Sequence, residues 1–197
     1  MKKKGKIETV KKVIPFAHDL LEQTINPGDI AIDATCGNGH DTLVLSKLVG
    51  DKGTVFAFDI QNQAIERTKQ LLDQASVQNV QLHMVDHQYA PDYISEEDYG
   101  RIGGAIFNLG YLPGSDKQTI TTPESTIAAV DSIAALLKQG GLIAIVVYYG
   151  HQGGEREKQA LLDYVSSLDQ KKFSVLQYAF INQQNNPPFL LAVQKRK

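Results

Sequence analysis

The run Ile32-Asp33-Ala34-Thr35-Cys36-Gly37-Asn38-Gly39-His40-Asp41-Thr42 concentrates the residues best suited to chemistry. Apolar residues lead into it as a buried strand would, the glycines permit a tight turn, and the residues beyond read as a helix start. Such a turn brings backbone close to a nucleotide-like ligand. The helix start supplies free N–H groups and the positive end of its dipole, which suit an anionic ligand group. Asp59 follows 20 residues after Gly39, a spacing that suits a carboxylate accepting from ribose hydroxyls. Gln61 reads equally as a second ribose contact or as a helix start. Asn38 and Asp41 read either as holders of the ligand's polar end or as local caps.

Two ligand classes fit a glycine turn of this kind, a dinucleotide and S-adenosylmethionine. A dinucleotide site calls for a third glycine to let helix and strand pack closely, and Thr42 stands there instead. Asp33 would oppose a pyrophosphate, yet it can orient a cationic methionine moiety directly or through water. The third strand ends in Val85-Asp86-His87. Asp86 is placed to receive an adenine amino group, and His87 to sit beside the ring. Cys36 lies inside the turn, where packing rather than nucleophilic chemistry is expected. The five histidines contain no close ligand pair of the H-x-x-x-H kind, so no metal is expected. His18 reads either as a residue reaching the site from the first helix or as an exposed helical histidine.

These residues need a scaffold. Apolar periodicity predicts a helix near 7–25, strands at 29–34, Thr54–Asp59, Val80–Val85, Ile102–Asn108 and Leu142–Tyr149, and helices at 40–49, around Ala64–Ala75 and at 154–168. Thr122-Pro123 opens a further helix as an N-cap followed by proline, with Gly140-Gly141 to stop it. Strands near 172–181 and 189–195, joined through Asn182–Pro188, predict an antiparallel hairpin. That joining segment reads equally as a plain turn or as part of a substrate pocket. The alternation predicts an α/β fold: a Rossmann-like, seven-stranded, mostly parallel sheet with helices on both faces and a C-terminal antiparallel hairpin. Residues 1–197 are read as one domain, with 1–27 as its N-terminal helical segment.

Composition sets bounds. A chain of 197 residues, 42% hydrophobic and 21% charged, suits a folded domain rather than a disordered one. No apolar run reaches the ~20 residues of a membrane span, and no signal peptide is expected behind the first lysines. One cysteine excludes an internal disulfide framework. A cytoplasmic enzyme is expected. The net charge of −2 hides basic ends: six lysines against one glutamate in residues 1–12, and Lys195-Arg196-Lys197. They read as solvated termini or as contacts to phosphates.

The strand order of these motifs resembles the class I S-adenosylmethionine-dependent methyltransferases. The segments Pro15-Phe16-Ala17-His18-Asp19, Asp33–Thr42, Phe58-Asp59-Ile60-Gln61, Asn108-Leu109-Gly110-Tyr111-Leu112-Pro113-Gly114 and Tyr148-Tyr149-Gly150-His151 resemble one bacterial family within that class. It was long labelled "putative rRNA methylase", and its members are assigned as tRNA 5-(aminomethyl)-2-thiouridine methyltransferases. The resemblance implies N-methylation of the aminomethyl group on a wobble uridine, with S-adenosylmethionine as cofactor and the tRNA anticodon region as partner.

Asn108-Leu109-Gly110-Tyr111 also resembles the Asn-Pro-Pro-Tyr loop of base amino-methyltransferases, with Leu-Gly in place of Pro-Pro. Asn108 and the Gly110 backbone are expected to orient the amine, and Tyr111 to stack on the uracil. Tyr148, Tyr149 and His151 are expected to grip a nucleobase or the anticodon backbone. A small enzyme on a large RNA gains surface from a second subunit, so a homodimer is expected. Methylation of rRNA or of a small-molecule amine stays open within the class, and a nicotinamide-dependent oxidoreductase stays open outside it.

Overall fold

The computed structural model describes residues 10–110, 122–150 and 153–197. Tyr111, His151 and the first nine residues, with four of the N-terminal lysines, lie outside the described residues. In chain order the elements are α1 (Val13–Thr24), β1 (Ile30–Asp33), α2 (His40–Val49), β2 (Thr54–Asp59), α3 (Asn62–Gln74), β3 (Val80–Met84), β4 (Ile102–Leu109), α4 (Pro123–Leu136), β5 (Leu137–Val147), α5 (Gly154–Ser167), β6 (Phe173–Tyr178) and β7 (Phe189–Lys195). A 3-10 segment spans His87–Tyr93. The strands form one sheet in the order β3-β2-β1-β4-β5-β7-β6. Only β7 runs against the others, because it pairs antiparallel with both β5 and β6.

Burial explains the order. β4 is apolar almost throughout and sits at the centre with both faces covered, as an unbroken apolar run requires. β3 and β6 carry mixed side chains and form the two edges. Side-chain alternation splits the core in two. Ile30, Ile32, Phe56, Phe58, Ala105 and Phe107 face α4, α5 and the 3-10 segment. Ala31, Val55, Ile106, Ala144 and Val146 face α1 and α2.

Several expected boundaries move: α1 starts at Val13 rather than near residue 7, β6 ends at Tyr178 rather than near residue 181, and the α4–β5 junction changes character. Gly140-Gly141 does not end α4. The helix ends at Leu136, and Leu137 already pairs with Ile102 of β4. Regular pairing resumes at Gly104 with Leu142, so three more residues are used on β5 than on β4. Gly140, with φ of +80°, takes up that excess as a bend inside the strand. The glycine pair is an irregularity of β5, where the sequence suggested a helix stop.

The C-terminal cations have structural partners. Lys195 donates to the carbonyls of Ala135 and Leu137, each at 2.8 Å, and Arg196 donates to that of Gln170 at 2.9 Å. The Lys195 bonds tie β7 to the α4–β5 junction and the Arg196 bond ties the chain after β7 to the segment before β6, so this part of the basic tail is committed to the fold.

α1 is pinned at two places. Leu21 and Ile25 lie over Gly104 of β4, where an added Cβ would stand 2.7 Å from Leu21 Cδ2 and 3.0 Å from Ile25 Cδ1. Phe16 packs on Tyr178 with ring centroids 4.3 Å apart, and the Tyr178 hydroxyl donates to the Lys11 carbonyl at 2.7 Å. Gly104→Ala is therefore expected to overpack the α1 interface and cost about 1–3 kcal/mol. Urea denaturation checks this, and an unchanged midpoint would show that α1 does not rest on β4 as described.

Candidate active site

The carboxyl ends of β1 to β5 open into one cavity of about 480 Å³. It lies where the strand order reverses around β1 and β4, the place at which open α/β sheets bind ligands. The β1 turn contributes Thr35, Cys36, Gly37 and Asn38, and α2 contributes His40 and Asp41. Asp59, Ile60 and Gln61 enter from β2, and Asp86 and His87 from β3. Asn108, Leu109 and Gly110 enter from β4, and Tyr148 from β5. Most of the residues expected from the sequence thus converge. Asp33, Gly39 and Tyr149 do not line the cavity.

Asp33 is a correction. It is fully buried, and its carboxylate is taken up within the protein. Thr42 Oγ1 donates to it at 2.6 Å and the Thr35 amide at 3.2 Å. It braces β1 against α2 and leaves ligand orientation to other groups. Burial, and next the charge of Asp41, push its carboxyl up to about 7, against the opposing pull of the Thr42 and Thr35 bonds. Gly39 also works from behind the wall. Its φ of +80° starts α2 in a left-handed residue, and an added Cβ would meet the Thr68 backbone at 3.0 Å. No side chain caps α2, so its first-turn N–H groups remain open to a ligand.

The nucleoside half of the cavity is built from backbone bonds. Asp59 accepts from the Gly37 amide at 3.0 Å and from the Gln61 amide at 2.9 Å, which fixes its carboxylate at the end of β2. Burial raises its pKa despite these bonds. Asp86 caps the 3-10 segment through the Gln88 amide at 2.9 Å. His87 is 5% exposed, lies edge-on to Phe107, and its Nε2 has no hydrogen-bond partner. A buried nitrogen without a partner calls for one. Burial lowers its pKa, against the charge of Asp86, so it stands as a neutral ring. An orphan nitrogen beside a fixed carboxylate fits an adenine-bearing ligand. Asn38 accepts from Arg67 at 3.2 Å. Cys36 is buried, and burial followed by the charge of Asp33 raises its pKa, so it packs without acting as a nucleophile.

The other half is a linked set of side chains. The Asn108 amide N–H donates to Thr35 Oγ1 at 2.8 Å, and Asn108 Nδ2 donates to Asp41 Oδ2 at 3.2 Å. Asp41 Oδ1 lies 2.6 Å from Nε2 of His18 on α1. Tyr148 faces the same set: burial, then Asp41, raises its phenol pKa. Tyr149 points to the opposite sheet face because side chains alternate along a strand. There it meets Phe189 at 5.8 Å, and Lys158 Nζ lies 4.3 Å from its ring centre. It is a packing residue, which corrects its expected substrate role. The Asn182–Pro188 segment brings Asn186 close to Gly150 but does not line the cavity.

Sequence reasoning missed Ile14, Thr35 and Thr122 as cavity residues. Ile14 sits one helical turn before His18, so the two share a face. That spacing was available as a signal. Thr122 does cap α4, through the Ser125 amide at 3.2 Å, and lines the cavity as well.

The family model described as "Putative rRNA methylase" matches residues 55–194. A chloroplast protein of Arabidopsis thaliana, tRNA (mnm(5)s(2)U34)-methyltransferase, is 40% identical over 181 residues, covering 87% of this chain and 65% of that protein. Demethylmenaquinone methyltransferase of Staphylococcus epidermidis is 29% identical over 126 residues, 64% of this chain and 46% of that enzyme. The chain therefore spans less than two thirds of these relatives' lengths. A "putative rRNA-methylase" from Clostridium thermocellum superimposes with a TM-score of 0.91 at 41% identity, covering 95% of this chain and 99% of that one. A "putative methyltransferase" from Streptococcus mutans, solved in complex with SAH, gives 0.86 at 44% identity, covering 94% and 99%.

The Asp33 carboxyl gives a signed test. Its native pKa lies above the ordinary value of 3.8, so between about pH 4 and 7 the native state holds a proton that the unfolded chain has released. Its contribution to stability falls as pH rises through that window. Asp33→Asn keeps an acceptor for Thr42 and removes the titration. Denaturation midpoints should show the variant gaining on wild type from pH 4 to 7, and parallel curves would contradict the assignment.

Proposed function

The chain belongs to the "Putative rRNA methylase" family, and on that footing we propose that it methylates the amine of 5-aminomethyl-2-thiouridine at the tRNA wobble position. The observation that carries the reading is Asn108, held at the end of the central strand with its carboxamide fixed from one side by Asp41. With Nδ2 donated to Asp41, Oδ1 is the atom left to accept an N–H from a target nitrogen. That arrangement suits a nitrogen nucleophile. The chloroplast relative named for a methyltransferase of the wobble nucleoside supports this substrate over rRNA or a small-molecule amine.

S-adenosylmethionine, when bound, supplies a methyl group already activated on a sulfonium, so the protein's share is orientation and exclusion of water. The SAH-bound Streptococcus mutans relative supports that cofactor. On this reading Asp59, with Gln61, holds the ribose, Asp86 and His87 meet the adenine, and the Gly37–Gly39 turn with Asn38 receives the methionine end. Asn108 and the Gly110 backbone orient the amine, and Tyr111 stacks on the uracil. Tyr148 and His151 border the base. The RNA partner is the anticodon region, and a homodimer acting in the cytoplasm completes the proposal. A nicotinamide dinucleotide is disfavoured: Thr42 occupies the third-glycine position and its hydroxyl is bonded to the buried Asp33.

Nucleoside mass spectrometry of tRNA from a deletion strain should show the wobble nucleoside lacking one methyl group. Unchanged tRNA with altered rRNA would overturn the substrate. In the purified protein, Asn108→Ala should lower the single-turnover rate by about 10²-fold, with S-adenosylmethionine affinity by calorimetry nearly unchanged. An unaltered rate would remove Asn108 from the reaction.

A further inference from the structure

We propose that Asp41 accepts the proton that the substrate's ammonium group must lose, and that His18 is the residue that positions it from α1. This rests on the aminomethyl reading above. An alkyl amine resembles the lysine amine, with a pKa near 10.4, so at neutral pH it arrives protonated and has no lone pair for the methyl carbon. A group in the cavity must take a proton.

Three described carboxylates line the cavity, and their bonds separate them. Asp59 is held by the Gly37 and Gln61 amides beyond β2. Asp86 caps the 3-10 segment beyond β3. Asp41 alone of the three bonds to Asn108, the residue that meets the amine. Asp33 is excluded because it does not reach the cavity. The side chain of Asp41 keeps 11% of its surface exposed, so an incoming ammonium can approach it while bulk water is largely kept away.

Asp41 is gripped from two elements, by His18 Nε2 at 2.6 Å and by Asn108 Nδ2 at 3.2 Å. A carboxylate on a free rotor would sample several orientations, and these two donors fix one. His18 cannot drift, because α1 is anchored by Leu21 over Gly104 and by Phe16 on Tyr178. Among the described residues, the titratable groups facing Asp41 are His18 from α1, Asp33 from β1 and Tyr148 from the end of β5. Burial raises the pKa of Asp33 to about 7, and its carboxyl is taken up by Thr42 and Thr35 outside the cavity, so Asp41 is the member of the pair that an incoming group can reach. His18 is 26% exposed, so water can reach the pair and carry the proton away.

The step balances. An N–H bond of the ammonium breaks and its proton goes to the Asp41 carboxylate, leaving the electron pair on nitrogen. That pair forms the bond to the methyl carbon as the carbon–sulfur bond breaks, and its electrons stay on sulfur, which becomes a neutral thioether. The product is a secondary ammonium ion, and protonated Asp41 returns its proton to water. A cationic sulfonium near the nitrogen disfavours the ammonium and helps the transfer.

The test uses the full chain and an anticodon stem-loop bearing 5-aminomethyl-2-thiouridine. If wild type transfers no methyl to it, the substrate reading fails and takes this inference with it. With wild type active, Asp41→Asn should lose about 10²-fold or more in single-turnover rate, with S-adenosylmethionine affinity changed little. His18→Leu should lose about tenfold, and His18→Gln, which keeps a donor near the Nε2 position, should recover most of that loss. A binding measurement stands apart from turnover. With S-adenosylhomocysteine present, wild type should bind the aminomethyl stem-loop about tenfold more tightly than a stem-loop with an uncharged 5-methyl group, and D41N should lose the preference. Wild-type rates in D41N, or an unchanged binding preference, overturn the proposal. Should D41N fail to fold, equal rates in H18L and H18Q do the same.

Discussion

The buried bond between Thr42 and Asp33 is the constraint on which this site depends. A carboxylate removed from water needs donors, and the hydroxyl from the first turn of α2 together with the Thr35 amide supplies them. The bonds fix α2 against β1, and that fixes the glycine turn between them. Asp41 is one residue from Thr42, so its aim at Asn108 follows from the same bond. Thr35 carries the constraint onward: its hydroxyl accepts from the Asn108 amide, so turn and central strand hold a single relative position.

The cavity is acidic, yet its carboxylates are not equivalent. Asp59 and Asp86 receive backbone amides, which place them. Asp33 sits behind the wall, where burial raises its pKa. Asp41 has side-chain partners on two different elements. Four aspartates of one type thus do separate work because burial and hydrogen bonding differ around each. The unpartnered Nε2 of His87 is the matching observation on the nucleoside side: the protein leaves there a buried polar atom for a ligand to satisfy.

α1 joins the core and the site. Its apolar face, Val13, Ala17 and Leu21, covers the sheet, while Ile14 and His18, a turn apart, face the cavity side. Because the same helix is locked to β4 and β6, the histidine it presents is held as firmly as a core residue. Among the described residues, the opposite sheet face, covered by α4 and α5, carries no cavity side chain after β5. Tyr149 shows why: one step beyond Tyr148 along the strand, it points into packing with Phe189 under Lys158.

The sequence by itself determined the α/β class, nearly every element, and the strand ends that bear Asp59, Asp86 and Asn108, because apolar periodicity and chain order are local properties and all sites of such a sheet lie at one edge. The glycine turn and the nucleoside carboxylates were legible for the same reason. Only the tertiary structure decided which aspartates face the cavity and which brace it, because Asp33 and Asp41 look alike in sequence and differ in what packs on them. It decided that Gly140-Gly141 bends β5 instead of ending α4, since that depends on pairing with β4. It also decided that His18, 23 residues from Asp41 and 90 from Asn108, meets the one and is linked through it to the other, a neighbourhood that no spacing along the chain encodes.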